Sequence, residues 1–307
     1  MKISKIISID NARILDIDKK IMTSLCDSFI AYDSDPVSDE DVLRRISDAE
    51  IIIVNKFKIS NSIIERLDNT KLVCVFGSGF DFIDVTAARK KKIAITNIPD
   101  YCTQAVAEHA VGLLIASSRL YYKAGSELRN GIWNPHLYRG LELNGKTLGI
   151  IGYGRTGKMV SEIAHKGLNM NILSVNSKSS RDDFEQLLRK SDFISLHVPL
   201  NQSTRNLISK KEFDLMKDGV VLVNTSRGAV IDTVALVENL KSKKLFAAGL
   251  DVFEKEPLNA DSPLLNFNNV IVTPHIAFKT VMSETKISRL LVENIKAFIS
   301  GKSLNII

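Results

Sequence analysis

Thr147-Leu148-Gly149-Ile150-Ile151-Gly152-Tyr153-Gly154-Arg155-Thr156-Gly157 is the stretch on which the fold turns. Five residues of strand character run into glycines spaced G-x-G-x-x-G, and from Arg155 a helical pattern places Val160, Ile163 and Ala164 on one face. In this pattern Gly152 permits a tight turn, Gly154 lets the backbone approach a pyrophosphate, and Gly157 allows close helix–strand packing. The helix N-terminus then meets the negative charge. A glycine fingerprint alone is a weak signal; lying between a strand and a helix gives it force. The candidate cofactor contacts are Gly152, Tyr153, Gly154, Arg155, Thr156 and Gly157.

Working outward, strand-like runs over 147–151, 171–175, 193–198, 220–224, 246–252 and 270–273 alternate with helical patterns. That alternation predicts a complete doubly wound parallel sheet in an α/β fold. One helix opens on the capping-box pattern Ser209-Lys210-Lys211-Glu212 and is expected to end at Gly219. The first half repeats the alternation more loosely, with strand candidates at 5–9, 29–32, 51–55, 72–76 and 93–98. A long helix is expected from about Gln104 to Arg129, its apolar face built from Val106, Ala110, Leu113, Leu114 and Ala116. A last helix spans about 281–300, and the change of pattern places a domain break near residue 100.

A chain of 307 residues fits two domains of about 100–200 residues each. Its 45% hydrophobic and 25% charged residues are those of an ordinary soluble globular protein. No apolar run reaches the ~18 residues of a membrane span. The opening residues lead into a strand-like segment without the features of a secretory signal. Cys26, Cys74 and Cys102 form no CxxC or Cys/His cluster, which argues against a disulfide framework or a metal site and for a reducing cytoplasm. The net charge of +6 is spread along the chain, and its longest basic run, Arg89-Lys90-Lys91-Lys92, reads as a solvated helix end. Without a clustered footprint, nucleic acid is not the expected partner, and the charge favours anionic small molecules.

The strand after the glycine loop ends in Asn176, where an acid usually bonds the ribose hydroxyls, and Ser177-Lys178-Ser179-Ser180-Arg181 follows. Loss of the carboxylate removes repulsion toward a 2′-phosphate, and Lys178 and Arg181 offer charge-assisted bonds to it. The plainer alternative is an exposed polar loop. The expectation is NAD(P), leaning to NADP.

Arg227, Glu256 and His275 each follow a strand-like run of the same sheet. Open α/β sheets bind ligands at those strand ends. Singly, each has an ordinary reading: a surface cation, an exposed acid in a Lys-Glu-Pro turn, a satisfied loop histidine. Together a cation, a carboxylate and an imidazole after strands of one sheet make a candidate site beside the cofactor. The other histidines read differently. His109 packs in the long helix, His165 lies on a helix face, His136 sits in a Trp133-Asn134-Pro135 turn, and His197 belongs to the cofactor wall.

Seven ordered blocks resemble the D-isomer-specific 2-hydroxyacid dehydrogenases over nearly the whole chain. They are Gly77-Ser78-Gly79-Phe80-Asp81, Ala105-Val106-Ala107-Glu108-His109, Gly152 to Gly157, and Ser195-Leu196-His197-Val198-Pro199-Leu200. Further along come Asn224-Thr225-Ser226-Arg227-Gly228, Gly249-Leu250-Asp251-Val252-Phe253-Glu254-Lys255-Glu256-Pro257 and Thr273-Pro274-His275-Ile276-Ala277. The resemblance implies that Arg227 binds the substrate carboxylate and polarises its carbonyl. It implies that His275 is the acid/base and that Glu256, its partner, favours the imidazolium. Backbone amides of Ser78 and Gly79 would hold the substrate carboxylate, and Asp251 would bond the nicotinamide carboxamide. His197, Pro199 and Thr225 would join Asn176, Ser177 and Lys178 as cofactor contacts.

The same resemblance implies a smaller flavodoxin-like substrate domain, residues 1–99 plus 278–307, around a dinucleotide-binding domain, residues 100–277. It also implies homodimers joined through the cofactor domain and closure of the domains to exclude water. The chain departs from the family pattern at Phe82, where asparagine is common, and at Asn176. A small polar 2-oxo acid is the expected substrate, of the hydroxypyruvate/glyoxylate or D-lactate type. Phosphoglycerate is less expected, since no regulatory C-terminal domain follows. Two rivals resemble this fold. An NAD(P)(H)-sensing corepressor would bind without turnover, and formate dehydrogenase carries glutamine where this chain has Glu256.

Overall fold

Ile51-Ile52-Ile53-Val54 is apolar at every position, as a strand covered on both faces should be, and all four residues are buried. In the computed structural model, which describes residues 2–307, this strand is the middle one of a five-stranded parallel sheet. The chain divides into two compact units, Met1–Tyr101 with Thr280–Ile307, and Cys102–Lys279.

The first unit runs β1 (Ile3–Ser8), α1 (Asp16–Leu25), β2 (Cys26–Ala31), α2 (Asp39–Ile46), β3 (Ile51–Val54), α3 (Asn61–Ile64), β4 (Leu72–Val75), α4 (Val85–Lys90) and β5 (Ala94–Thr96). Its strand order, β2-β1-β3-β4-β5, is the flavodoxin-type arrangement. The second unit runs α5 (Thr103–Ser118), α6 (Tyr121–Arg129), β6 (Thr147–Ile151), α7 (Arg155–Leu168), β7 (Asn171–Val175), α8 (Arg181–Lys190), β8 (Phe193–Leu196), α9 (Lys210–Leu215), β9 (Val220–Asn224), α10 (Thr233–Lys241), β10 (Leu245–Leu250) and β11 (Val270–Val272). The last helix, α11 (Val281–Ile299), returns to the first unit. There Ser288 accepts from the Leu15 amide and donates to Asp18, while Asn294 donates to the Asn97 carbonyl at 2.8 Å.

At the carboxyl end of β1 the Asp10 carboxylate is wholly buried. It accepts the amides of Asn55 (2.9 Å), Lys56 (2.9 Å) and Phe57 (3.1 Å), so one side chain shapes the whole loop after β3. Burial outweighs these donors and pushes its carboxyl up from the ordinary value.

In the second unit all six strands are parallel, in the order β11-β10-β9-β8-β6-β7. A single strand lies beyond β6, so the order reverses between β6 and β8, beside the glycine loop. Side chains alternate between two cores, as a strand's period of two requires. Ile194, Leu196, Leu222 and Leu250 enter one, Leu148, Ile150, Phe193, Val221 and Val223 the other. This is a doubly wound Rossmann sheet covered on both faces.

Three expectations are corrected. The long helix breaks at Leu120, whose φ is +55°, giving α5 and α6. Its carbonyl at Ser118 accepts the Leu141 amide at 2.8 Å, and that crossing segment ends the helical ladder. The helix over 210–219 stops at Leu215, because Met216 is extended (ψ 158°) and buried on its way into the turn before β9. Several strands end short of their apolar runs. Val252, past the end of β10, is buried all the same, since apolarity reports burial and not ladder pairing.

Candidate functional site

The strand–turn–helix fingerprint forms as its residues demand. Gly152 has φ +103°, and a Cβ there would lie 2.4 Å from the His197 carbonyl oxygen. At Gly157 a Cβ would lie 2.2 Å from the Gly152 oxygen, so only glycine lets α7 pack against this turn. Gly154, at the helix start, has open space where its side chain would be. Arg155 is exposed, Thr156 and Tyr153 half-buried, and Tyr153 lies 3.5 Å from Ser161 through its hydroxyl. A further observation fits a ligand here: the buried Thr225 Oγ1 has no hydrogen-bond partner among the described residues. Glycine turn, open helix N-terminus and orphaned hydroxyl together suit a dinucleotide phosphate and ribose.

After β7 the Asn176 side chain accepts the Lys178 amide at 2.8 Å, and the Asn176 amide donates to Ser179 Oγ at 3.1 Å. This compact turn leaves Asn176, Ser177 and Lys178 exposed. Arg181 points elsewhere. It bonds Glu185 (3.0 Å) and Glu212 (2.9 Å), bridging α8 to α9, and so drops out of the pair expected to meet a 2′-phosphate.

Pro199 is exposed after β8, and its carbonyl accepts from Thr204 Oγ1 at 2.6 Å. His197 Nε2 meets Ser195 Oγ at 2.8 Å, and burial pushes the imidazole down from the ordinary 6.5 to about 4. The unfolded chain therefore binds a proton that the folded one refuses. The stability this supplies is complete above about pH 6.5 and is lost as pH falls through about 4. The melting temperature is expected to fall across that window, and to fall less in His197→Gln. Equal slopes for the two proteins would refute this account.

Asn224, wholly buried at the end of β9, builds the next loop. Its Oδ1 accepts the Ser226 amide (3.0 Å) and hydroxyl (2.8 Å), and its Nδ2 donates to the Arg227 carbonyl (2.9 Å). Arg227 Nη1 donates back to the Ser226 carbonyl at 2.9 Å. A Cβ on Gly228 would lie 1.8 Å from the Phe253 carbonyl carbon. That close approach is what sets the Arg227 loop against the loop after β10.

In the latter loop Glu256 Oε1 accepts the Phe253 amide at 2.9 Å and Oε2 meets His275 Nδ1 at 2.7 Å. Burial pushes the Glu256 carboxyl up, but the bonds from His275 and Phe253 and the charge of Arg227 outweigh it. The net position is below the ordinary value, so Glu256 is an anion at neutral pH. Arg227, Glu256 and His275 are thus gathered at the ends of β9, β10 and β11. With Nδ1 committed to Glu256, Nε2 is the ring nitrogen of His275 left to serve as a proton donor or acceptor. Its backbone is in the left-handed region, φ +53°.

Asp251 is wholly buried at the end of β10. Its carboxylate accepts Thr273 Oγ1 (2.5 Å) and the amides of Ile276 (2.9 Å) and Ala277 (2.8 Å). The observed work of this residue is to hold the loop around His275. His109, read from sequence as a packing residue, meets Thr273 Oγ1 at 3.1 Å. His165 Nδ1 bonds the Met170 carbonyl at 3.0 Å, and His136 is exposed. Sequence reasoning passed over Asn224, Thr273 and His109; all three lie inside the blocks quoted above. In the first unit, Ser78 and Gly79 lie in the loop after β4, where the Ser78 carbonyl accepts from Asn97 Nδ2 at 2.7 Å. Among the described residues no group of three His, Cys, Asp or Glu side chains is arranged to hold a metal ion, and no helix is long and apolar enough to cross a membrane.

The parallel sheets, glycine turn and charged triad define a two-domain α/β protein with a nicotinamide-dinucleotide site. Residues 111–277 match the model of the D-isomer specific 2-hydroxyacid dehydrogenase NAD-binding domain. A hydroxypyruvate reductase of Blautia hydrogenotrophica is 35% identical over 308 residues, 95% of each chain. A D-3-phosphoglycerate dehydrogenase of Archaeoglobus fulgidus is 38% identical over 276 residues, and the chain spans about half (52%) of its length. The structure of an acyclic imino acid reductase in complex with NADPH and D-arginine superposes with a TM-score of 0.91 at 32% identity, covering 99% of both chains. The chain belongs to the D-isomer-specific 2-hydroxyacid dehydrogenase family.

Proposed function

We propose that the chain is an NAD(P)-dependent D-2-hydroxyacid dehydrogenase, acting mainly as a reductase of small 2-oxo acids such as glyoxylate and hydroxypyruvate. The observation that carries this reading is the His275–Glu256 pair, 2.7 Å apart, gathered with Arg227 at the strand ends of the dinucleotide sheet. A nicotinamide cofactor held by the glycine turn would supply the hydride for the carbonyl carbon. His275 Nε2 gives a proton to the carbonyl oxygen as charge develops there, and takes it back in the oxidative direction. Glu256, an anion, steadies the imidazolium and holds the ring through Nδ1. Arg227 offers a planar fork of donors to the substrate carboxylate and its adjacent carbonyl oxygen. In the first unit the amides of Ser78 and Gly79 are proposed as donors to a carboxylate.

Gly152, Tyr153, Gly154, Arg155, Thr156 and Gly157 would hold the pyrophosphate, and His197, Pro199 and Thr225 would line the cofactor wall. Asp251, with three donors already on its carboxylate, is assigned to the carboxamide only through the lone-pair capacity left on Oδ2. The leaning to NADP rests on Asn176 and Lys178; the turn they form presents a cation and no carboxylate to a 2′-phosphate. The NADPH bound by the imino acid reductase supports it.

A homodimer is supported by α6, none of whose residues is buried, and by the exposed Tyr121, Tyr122, Leu128, Ile132, Trp133 and Leu137 around it. Light scattering at micromolar concentration should return twice the chain mass. Three free thiols support a reducing compartment such as the cytoplasm.

The test is nicotinamide absorbance with NADPH and with NADH against glyoxylate, hydroxypyruvate, pyruvate and branched 2-oxo acids. Turnover is expected, with a higher kcat/KM for NADPH. Tight cofactor binding without turnover of any 2-oxo acid would sink the reading.

A further inference from the structure

His275 sits at φ +53°, a region that costs a residue with a side chain and persists only where its surroundings over-determine it. The restraints converge on Asp251, through its backbone carbonyl and its carboxylate. The His275 amide donates to the carbonyls of Asp251 (2.8 Å) and Thr273 (3.0 Å). The next two amides, Ile276 and Ala277, donate to the Asp251 carboxylate, and so does the Thr273 hydroxyl from the other side of His275.

The Thr273 hydroxyl has one hydrogen, and it goes to Asp251 Oδ1 at 2.5 Å. Its contact with His109 Nε2, 3.1 Å away, must then be a bond donated by the imidazole. The same Nε2 lies 3.5 Å from Asp251 Oδ1. A line of hydrogen bonds therefore runs from α5 through Thr273 and Asp251 to the amides that follow His275. We infer that His109 and Thr273 are positioning residues for His275, acting through the buried Asp251.

A buried carboxylate is tolerated only while its donors are in place. Removing the Thr273 hydroxyl strips one donor from Asp251 and leaves His109 Nε2 only the longer approach, 3.5 Å, to Asp251 Oδ1. The loop would keep its chain path but lose the restraint that keeps His275 Nε2 on target. This inference takes its catalytic consequence from the function proposed above, whereas the restraint itself can be read without turnover.

The experiment compares Thr273→Val with Thr273→Ser, and His109→Leu with His109→Gln, in the full chain. It measures amide hydrogen exchange at Ile276 and Ala277 beside steady-state kinetics and NADPH affinity. In Thr273→Val, exchange at those two amides is expected to rise at least about tenfold over the rest of the second unit. kcat should fall about tenfold to a hundredfold, as for a misplaced acid/base, with cofactor affinity retained. Thr273→Ser, which restores the hydroxyl, and His109→Gln, which restores a donor, should recover most of both. Unchanged exchange in Thr273→Val and His109→Leu overturns the inference. So does exchange rising uniformly throughout the unit, which marks a general loss of stability. Faster local exchange with unchanged kcat overturns it too. If the wild-type protein turns over no 2-oxo acid, the proposed function fails, and the exchange data alone decide whether the restraint exists.

Discussion

His275→Ala is expected to lower kcat for 2-oxo acid reduction by about 10²–10⁴-fold, the usual contribution of a positioned acid/base, while cofactor affinity is retained. The size follows from the geometry. His275 has one nitrogen on Glu256 at 2.7 Å and the other available, and no second imidazole shares the loop. Glu256→Gln should cost less, because the ring keeps a hydrogen-bonding neighbour but loses the anion that steadies its charged form. The pH dependence has a definite sign. The Glu256 carboxyl lies below its ordinary range in the folded protein. Its share of stability is present above that range and is lost as pH falls from it to the lowered folded value, and its share of activity is lost as pH falls through the folded value. Reduction should therefore hold as pH falls through the ordinary carboxylate range, and the Gln variant should show no such acid limb. A His275→Ala protein with near wild-type kcat would remove His275 from the chemistry.

Arg227→Ala is expected to lower kcat/KM by at least about 10³-fold, through loss of both the substrate's carboxylate partner and a fixed charge at the developing alkoxide. Both parameters should suffer, KM from the first cause and kcat from the second. Arg227→Lys should recover little, since a point charge does not reproduce a planar fork. The fold should survive either change. The loop is shaped by Asn224 and by the Gly228–Phe253 approach, and the arginine head contributes a bond to Ser226. A melting temperature close to wild type separates loss of function from unfolding. Unaltered kinetics in Arg227→Ala would leave the substrate carboxylate without its assigned partner.

Much of this was legible in the residues. The glycine turn, the strands over 147–151, 171–175 and 220–224, and the capping pattern at Ser209 are local patterns, and the structure reproduces them. The break at Leu120 was not legible. It depends on the Leu141 amide arriving at the Ser118 carbonyl, and nothing within 104–129 records that arrival. Arg181 misled for the same reason. Beside Lys178 in sequence, it is claimed by Glu212 on a neighbouring helix.

The sequence by itself determined the α/β class and the glycine turn, and it singled out Arg227, Glu256 and His275 as candidates. Strand periodicity and glycine spacing are properties of neighbouring residues, and the charged residues follow strands that can be read one at a time. Only the tertiary structure decided the strand order, the 2.7 Å geometry of the Glu256–His275 pair that the resemblance implied, and the hydrogen-bond line from His109 through Thr273 to Asp251. These join residues far apart in the chain. Their bonds form only when parallel strands bring the loops to one edge and burial leaves each polar group few partners.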